Sequence, residues 1–296
     1  MTHLPAGSVV SPLVFDTPHS GSYIPAHIVT DATETERDFL RDAHVEKLLT
    51  ASPAQNIPVL ENLLDRVVID TNSEEYEVDP RSFTGHWPLP SRLTRNITIR
   101  GLGLIATSMK QADGSLRPIF NEQTKLTTQD VLERLDRYHR PYHAALRGLL
   151  ARAFDAHGYA IHINFHSSPR AALKGRDLLI GNLKGKSAHP DLTHHIQAFF
   201  HMNGMNFGEN SPYPGGALIR RHSAPEQGLH GIQIEFARDL FTAADGTYDR
   251  HKGEMMILFV TSFAQSLHMF ADAHQGRLRP QVPQAGRPAI LGMDSP

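Results

Sequence analysis

Leu13-Val14-Phe15-Asp16-Thr17-Pro18-His19-Ser20-Gly21 passes from an apolar run into a polar loop broken by proline. A short apolar run closed by turn residues predicts a buried strand that delivers its carboxyl end into a loop. The pattern recurs downstream. Tyr159 to Phe165 predicts a strand ending at His166, in the segment Asn164-Phe165-His166-Ser167-Ser168-Pro169. Gly231 to Phe236 predicts another, with Ile232, Ile234 and Phe236 alternating. Val67-Val68-Ile69-Asp70, Leu102-Gly103-Leu104-Ile105 and Asp177 to Gly181 predict three more.

Helical periodicity fills much of the intervening chain. Glu34 to Ala51 carries Phe39, Leu40, Ala43, Leu48 and Leu49 at helical spacing, with Pro53 beyond its end. From Thr128 to Ala156, Val131, Leu135, Tyr138, Tyr142, Leu146, Leu149 and Ala153 step along one face, and Pro141 is expected to kink or split the helix. Pro190 to Met202 and Lys252 to Ala273 predict two further helices, whereas Asp79 to Thr94, with several prolines, predicts a loop. Strands separated by helices predict a three-layer α/β/α fold around a mixed, largely parallel sheet. No repeat or linker divides the chain. Residues 1–275 therefore predict a single domain, and 276–296, rich in Pro, Gly and Gln, an extended tail.

Composition narrows the chemistry. The 296 residues are 40% hydrophobic with a formal net charge of -2, which gives no electrostatic basis for a nucleic-acid or membrane partner. Met1 to Val10 has neither a basic n-region nor an apolar h-region, and no apolar run is long enough to span a bilayer, so a cytoplasmic protein is expected. The absence of cysteine excludes disulfides, thiolate ligands and a cysteine nucleophile. Any metal must therefore be held by histidine and carboxylate, and 19 histidines are present.

Ligands of open α/β sheets bind outside the carboxyl ends of the strands. Two predicted strands end in His-Ser, at His19 and His166, and the segment Gln233-Ile234-Glu235-Phe236-Ala237-Arg238 plants Glu235 within an apolar strand. A buried carboxylate is expensive unless it is paired or belongs to a metal or proton-transfer site. A shared site at these strand ends is the expectation.

The Asp16–Gly21 segment is followed in order by Arg41-Asp42-Ala43-His44-Val45-Glu46, Arg66-Val67-Val68-Ile69-Asp70-Thr71-Asn72, Gly101-Leu102-Gly103-Leu104-Ile105 and Tyr138-His139-Arg140-Pro141-Tyr142-His143. His166-Ser167, Pro212-Tyr213-Pro214-Gly215-Gly216 and Ile232-Gln233-Ile234-Glu235 complete the series. Together these motifs resemble the N-formylglutamate amidohydrolase family over about nine-tenths of the chain.

The resemblance implies a zinc-exopeptidase-like (phosphorylase/hydrolase-like) fold and metal-dependent cleavage of an N-formyl or other N-acyl amino acid. It implies one divalent ion, zinc or a related metal, with His19 and His166 as ligands. The related carboxypeptidase-type motif has a Glu three residues after its first His, where this chain has Ser22. A third ligand is then expected from Asp42 to Glu46, with Asp42 first and His44 as the alternate. Glu235 matches the general base of a Glu-x-x-Arg strand that Arg238 completes. Arg66, Asn72, Tyr213, Arg220 and Arg238 are implied for the small-molecule substrate, with Arg221 beside Arg220. One departure stands out: the family has an Arg after the residue at Asn72, and this chain has Ser73-Glu74-Glu75. A related deacylase acting on another substrate, or a silent member that binds a metabolite, are the competing expectations.

Overall fold

Every residue of Leu13–Thr17, Ala160–Ser168 and Leu229–Ala237 is buried, as expected of strands enclosed on both faces. The computed structural model describes residues 1–3, 10–50, 56–111, 113–121, 123–280 and 288–292. In chain order the strands are β1 (Thr2–His3), β2 (Leu13–Thr17), β3 (Val59–Glu61), β4 (Ser108–Lys110), β5 (Leu116–Pro118), β6 (Ala160–Ser168), β7 (Leu178–Gly181), β8 (Phe207–Glu209) and β9 (Leu229–Ala237). The chain divides into two compact units, Met1–Thr17 with His44–Glu61 and Ala144–Pro296, and Pro18–Ala43 with Asn62–His143.

The first unit holds a seven-stranded sheet in the order β1-β3-β2-β6-β9-β7-β8. The pairs β2–β3, β2–β6, β6–β9 and β7–β8 are parallel, while β1–β3 and β7–β9 are antiparallel. This is the mixed, largely parallel sheet of an α/β fold. Register and the two-residue period of strands sort its side chains. Leu13, Phe15, Ile161, Ile163, Phe165, Leu178, Ile180, Ile232, Ile234 and Phe236 share one apolar face. The helices Val45–Thr50, Pro190–Met202 and Arg250–Ala273 pack into the same apolar cluster through Leu48, Ile196, Phe200, Val260 and Phe263. Predicted helix bounds hold at Pro190–Met202, and Arg250–Ala273 begins two residues earlier than expected. No helix among the described residues is long and apolar enough to cross a membrane.

The second unit contains the β4–β5 hairpin and two short helices that begin with capping boxes, Thr33 with Glu36 and Thr127 with Asp130. Its core is built on Val68, Ile69, Leu104, Ile105, Val131 and Leu135.

Several sequence expectations are corrected. The helix expected over Glu34 to Ala51 is two helices, Glu34–Leu40 and Val45–Thr50; Ala51 and Pro53 lie outside the described residues. Arg41 is extended, the Asp42 N–H turns to donate to His19 O at 2.9 Å, and His44 takes a positive φ of 73°, so helical bonding stops at Leu40. Val67–Asp70 is a turn rather than a strand. Asp65 Oδ1 accepts the Val67 N–H at 3.0 Å and Asp70 Oδ1 accepts the Asn72 N–H at 2.8 Å, so side chains claim donors that a ladder would need. The described backbone bonds of Leu102–Ile105 are isolated ones: Leu102 N–H to Asn96 O, Leu104 N–H to Glu77 O and Asp70 N–H to Leu104 O. A Cβ at Gly103 would lie 2.5 Å from Glu77 O, so the chain passes too close there for any side chain.

The long predicted helix does split, but one turn before Pro141. Thr128–Arg134 runs into a π-helical turn, Leu135–His139, where the Arg140 N–H donates to Leu135 O, and Arg140–His157 follows. The wider turn accommodates a proline that has no N–H and crowds the carbonyl four residues back. The tail is not simply extended: Gln275–Leu278 and Ala289–Gly292 are helical turns, and 281–287 and 293–296 lie outside the described residues.

Candidate functional site

In the first unit, the second face of the central strands is polar although it is buried. It carries Asp16 from β2, His162, Asn164, His166 and Ser168 from β6, and Gln233 and Glu235 from β9. Burial of so many polar groups is tolerable only if they satisfy one another. Asp16 Oδ1 accepts from His162 Nε2 at 2.7 Å and from Asn164 Nδ2 at 2.8 Å. Asn164 Oδ1 lies 2.8 Å from His166 Nε2.

Glu235 stands directly opposite His166 in the parallel register of β6 and β9. Its Oε2 accepts from Ser168 Oγ at 3.0 Å and its Oε1 from Gln233 Nε2 at 3.0 Å. Gln233 Oε1 in turn accepts the Gly216 N–H at 2.9 Å. Gly181 faces Gln233 across β7 and β9, and a Cβ there would lie 3.0 Å from Tyr213 O. The Tyr213–Gly216 turn therefore rests on the polar face because residue 181 has no side chain.

The other first-unit candidates flank this face. The Tyr213 ring packs beside Leu173, Leu179 and Ala237. Arg238 follows β9 and donates from Nε to Ser167 Oγ at 3.3 Å. Arg220 and Arg221 are exposed, and Arg220 Nη1 donates to Gly215 O at 3.3 Å. The His44 ring lies against Tyr248, with centroids 5.5 Å apart.

In the second unit, His19 is fixed from both sides. Its Nε2 lies 2.8 Å from Asp70 Oδ1 and its Nδ1 3.4 Å from Asp42 Oδ2. Asp70 Oδ2 accepts from Arg66 Nε at 2.9 Å and Nη2 at 2.7 Å. Burial pushes the Asp70 carboxyl up, but Arg66 and His19 outweigh it and hold the group far below the usual carboxylate range. Asn72 is half-buried, and its flanking carbonyls are gripped by two histidines: His143 Nε2 lies 2.9 Å from Thr71 O and His139 Nε2 2.9 Å from Ser73 O. Glu75, in the segment where the family pattern has its arginine, pairs with Arg140 at 2.8 Å.

Within the second unit, His19 and Asp42 bring an imidazole nitrogen and a carboxylate oxygen side by side, both buried, and His166 is a buried imidazole of the first unit. Two imidazoles and a carboxylate are a donor set that suits a divalent ion with an open position. Sequence reasoning missed Asp16, Asn164, Ser168 and Gln233 as partners of the named residues, and it gave Asp70 no role. The signal for Asn164 and Gln233 was present as the polar half of the alternation in His162-Ile163-Asn164-Phe165-His166 and Gln233-Ile234-Glu235. Asp70 carried no such signal, because its segment reads as an apolar strand.

An N-formylglutamate deformylase of Pseudomonas putida is 25% identical over 239 residues, covering 78% of this chain and 81% of that protein. The crystal structure of an N-formylglutamate amidohydrolase from Ralstonia eutropha superposes with a TM-score of 0.81 at 28% identity, over 91% of this chain and 98% of the other. A gene product of Agrobacterium tumefaciens, 14% identical, shares the fold with a TM-score of 0.61 over 88% of this chain and 92% of its own. The profile of the N-formylglutamate amidohydrolase family matches residues 11–242. The chain thus belongs to the N-formylglutamate amidohydrolase family, hydrolases of a C–N amide bond.

Proposed function

We propose that the chain is a cytoplasmic, metal-dependent amidohydrolase that cleaves N-formylglutamate or a closely related N-acyl amino acid to the carboxylic acid and the free amino acid. Residues 1–275 act as its catalytic domain. The observation that carries this reading is Glu235: a buried carboxylate in register with His166, held by two donors on a polar sheet face. His19, Asp42 and His166 would hold the ion. The residues fit it, because Asp70 binds His19 Nε2 and so leaves the lone pair on Nδ1, the nitrogen nearest Asp42. When bound, a divalent ion supplies Lewis-acid polarisation of the amide carbonyl and acidifies the attacking water.

Glu235 would take a proton from the attacking water on a carboxylate oxygen and deliver it to the leaving amine nitrogen. The two hydrogen bonds to Glu235 aim the carboxylate and keep it available as an acceptor. Arg238, Asn72, Tyr213 and Arg220 are the groups proposed to meet the substrate carboxylates and the developing oxyanion. Arg66 commits Nε and Nη2 to Asp70, which favours a role in bracing His19 over direct substrate contact. Ser73, in place of the family arginine, favours a shifted substrate preference within the N-acyl amino acids.

Metal analysis and an amine-release screen over N-acyl amino acids test the proposal together. His19→Ala and His166→Ala should each lose the ion without unfolding; full occupancy in both would sink the ligand assignment. Ser73→Arg should raise activity on N-formylglutamate by about tenfold or more, the scale of one charged hydrogen bond. Unchanged activity would mean that another arginine already fills the role.

A further inference from the structure

We propose that Asp16 is a positioning residue for His166, acting through Asn164 to fix which imidazole nitrogen carries the proton. The argument rests on which groups can donate. Asp16 Oδ1 already accepts from His162 Nε2, so it offers Asn164 only an acceptor. Asn164 must then turn its NH2 towards Asp16, at 2.8 Å, and its carbonyl oxygen towards His166 Nε2, at 2.8 Å. A carbonyl oxygen accepts, so Nε2 of the neutral ring carries the hydrogen and Nδ1 carries the lone pair. All four residues are buried, with Asp16, His162 and Asn164 at 0% exposure, so water is not at hand to substitute for a lost partner. The chain of bonds sets the tautomer that a metal-ligating histidine needs.

This inference deepens the assignment of His166 as a ligand and rests on that assignment for its functional consequence, although the tautomer itself does not. The Asp16→Asn variant keeps the shape but presents an NH2 as well as a carbonyl, so Asn164 loses its reason to keep one orientation. Ring-15N histidine spectra of metal-free protein, with the His166 signals identified by their loss in His166→Gln, read the tautomer directly. Zinc affinity measured by competition with a chelator reads the consequence.

In the wild type, His166 should be a single Nε2–H tautomer. In Asp16→Asn, Nδ1–H signal should appear and zinc affinity should fall by about ten- to a hundredfold. An Nδ1–H ring in the wild type overturns the proposal whether or not the variant folds, and so does an unchanged Nε2–H ring in Asp16→Asn. An altered tautomer with unchanged zinc affinity supports the positioning role and instead overturns the reading of His166 as a ligand. Asn164→Ala, which removes the acceptor outright, should show the same two changes.

Discussion

The two faces of the central sheet come from the same strands, and their residues alternate one by one. On one face Phe165 sits between Phe15, with ring centroids 5.0 Å apart, and Phe236, at 5.9 Å. On the other, Asp16 and Asn164 are as deeply buried as the aromatics and His166 and Glu235 are buried nearly as far, yet each is tied to a polar neighbour. Packing stabilises the first face without directional demands. The second is sustained only by a complete set of partners, and well-packed apolar residues would generally stabilise a fold as well or better. What a costly polar layer contributes is placed donors, acceptors and lone pairs. The apolar face should therefore govern stability and the polar face turnover.

The sharpest way to break this division is Glu235→Gln. It keeps volume and most hydrogen bonding but removes the proton acceptor, and kcat should fall by about a hundred- to ten-thousandfold. KM, metal content and melting temperature should change little, because the group acts mainly in the transition state. Near-normal turnover would make Glu235 structural and remove the mechanism with it. Phe165→Ala, one residue from His166 but on the apolar face, should do the reverse. Truncating a fully buried Phe costs about 3–5 kcal/mol, read as a drop in the urea midpoint, while kcat of the folded fraction stays near wild type. A large kcat loss in folded Phe165→Ala would show that the faces are coupled.

His230 tests the same contrast from a different direction, since it is a histidine on the apolar side of β9. Its Nδ1 accepts the His189 N–H at 3.2 Å and its Nε2 donates to Leu278 O at 2.8 Å, an arrangement that only the neutral ring satisfies. Burial brings it down to about 4, with the Leu278 carbonyl partly opposing and His189 adding to the effect. The sign follows from linkage. A folded value below the unfolded one gives a contribution that is fully present above about 6.5 and is lost as pH falls towards 4. That loss is on the order of 3 kcal/mol. Urea unfolding at pH 7 and at pH 4.5 should show a steeper acid decline for wild type than for His230→Gln. Equal declines would mean that His230 stays uncharged in the unfolded state too, or protonates in the fold.

How far the sequence revealed this arrangement depended on what claims the backbone. In β6 and β9 the ladder itself satisfies the chain, so apolar alternation was enough to place both strands, His166 and Glu235. In Val67–Asp70 the same apolar look was misleading, because Asp65 and Asp70 bond the backbone locally and turn it. β3 went unnoticed because it is only three residues long and follows Pro58. Asp42 was reached only through the family resemblance, since helical spacing suggested a continuous solvated face there. The break at Arg41 and the positive φ of His44 separate Asp42 from His44 in a way that periodicity does not encode. Asp70, the brace of His19, is 51 residues away in sequence, and no local pattern links the two.

The smallest expected effect sharpens the division most finely, because it falls within the polar face. Ser168 Oγ donates to Glu235 Oε2, but Oε1 keeps Gln233, which is itself anchored by the Gly216 N–H. Removing one of two donors should loosen the aim of the carboxylate without releasing it. Ser168→Ala should therefore lower kcat by about tenfold or less and cost about 1 kcal/mol of stability, the usual net worth of one hydrogen bond. If Ser168 acts only through Glu235, its effect must vanish where Glu235 can no longer take a proton. Adding Ser168→Ala to Glu235→Gln should then leave the residual rate unchanged, so that the two losses fail to add. Full additivity in that double-mutant cycle would show that Ser168 meets the substrate itself, and the hydrogen bond to Glu235 would be incidental to turnover.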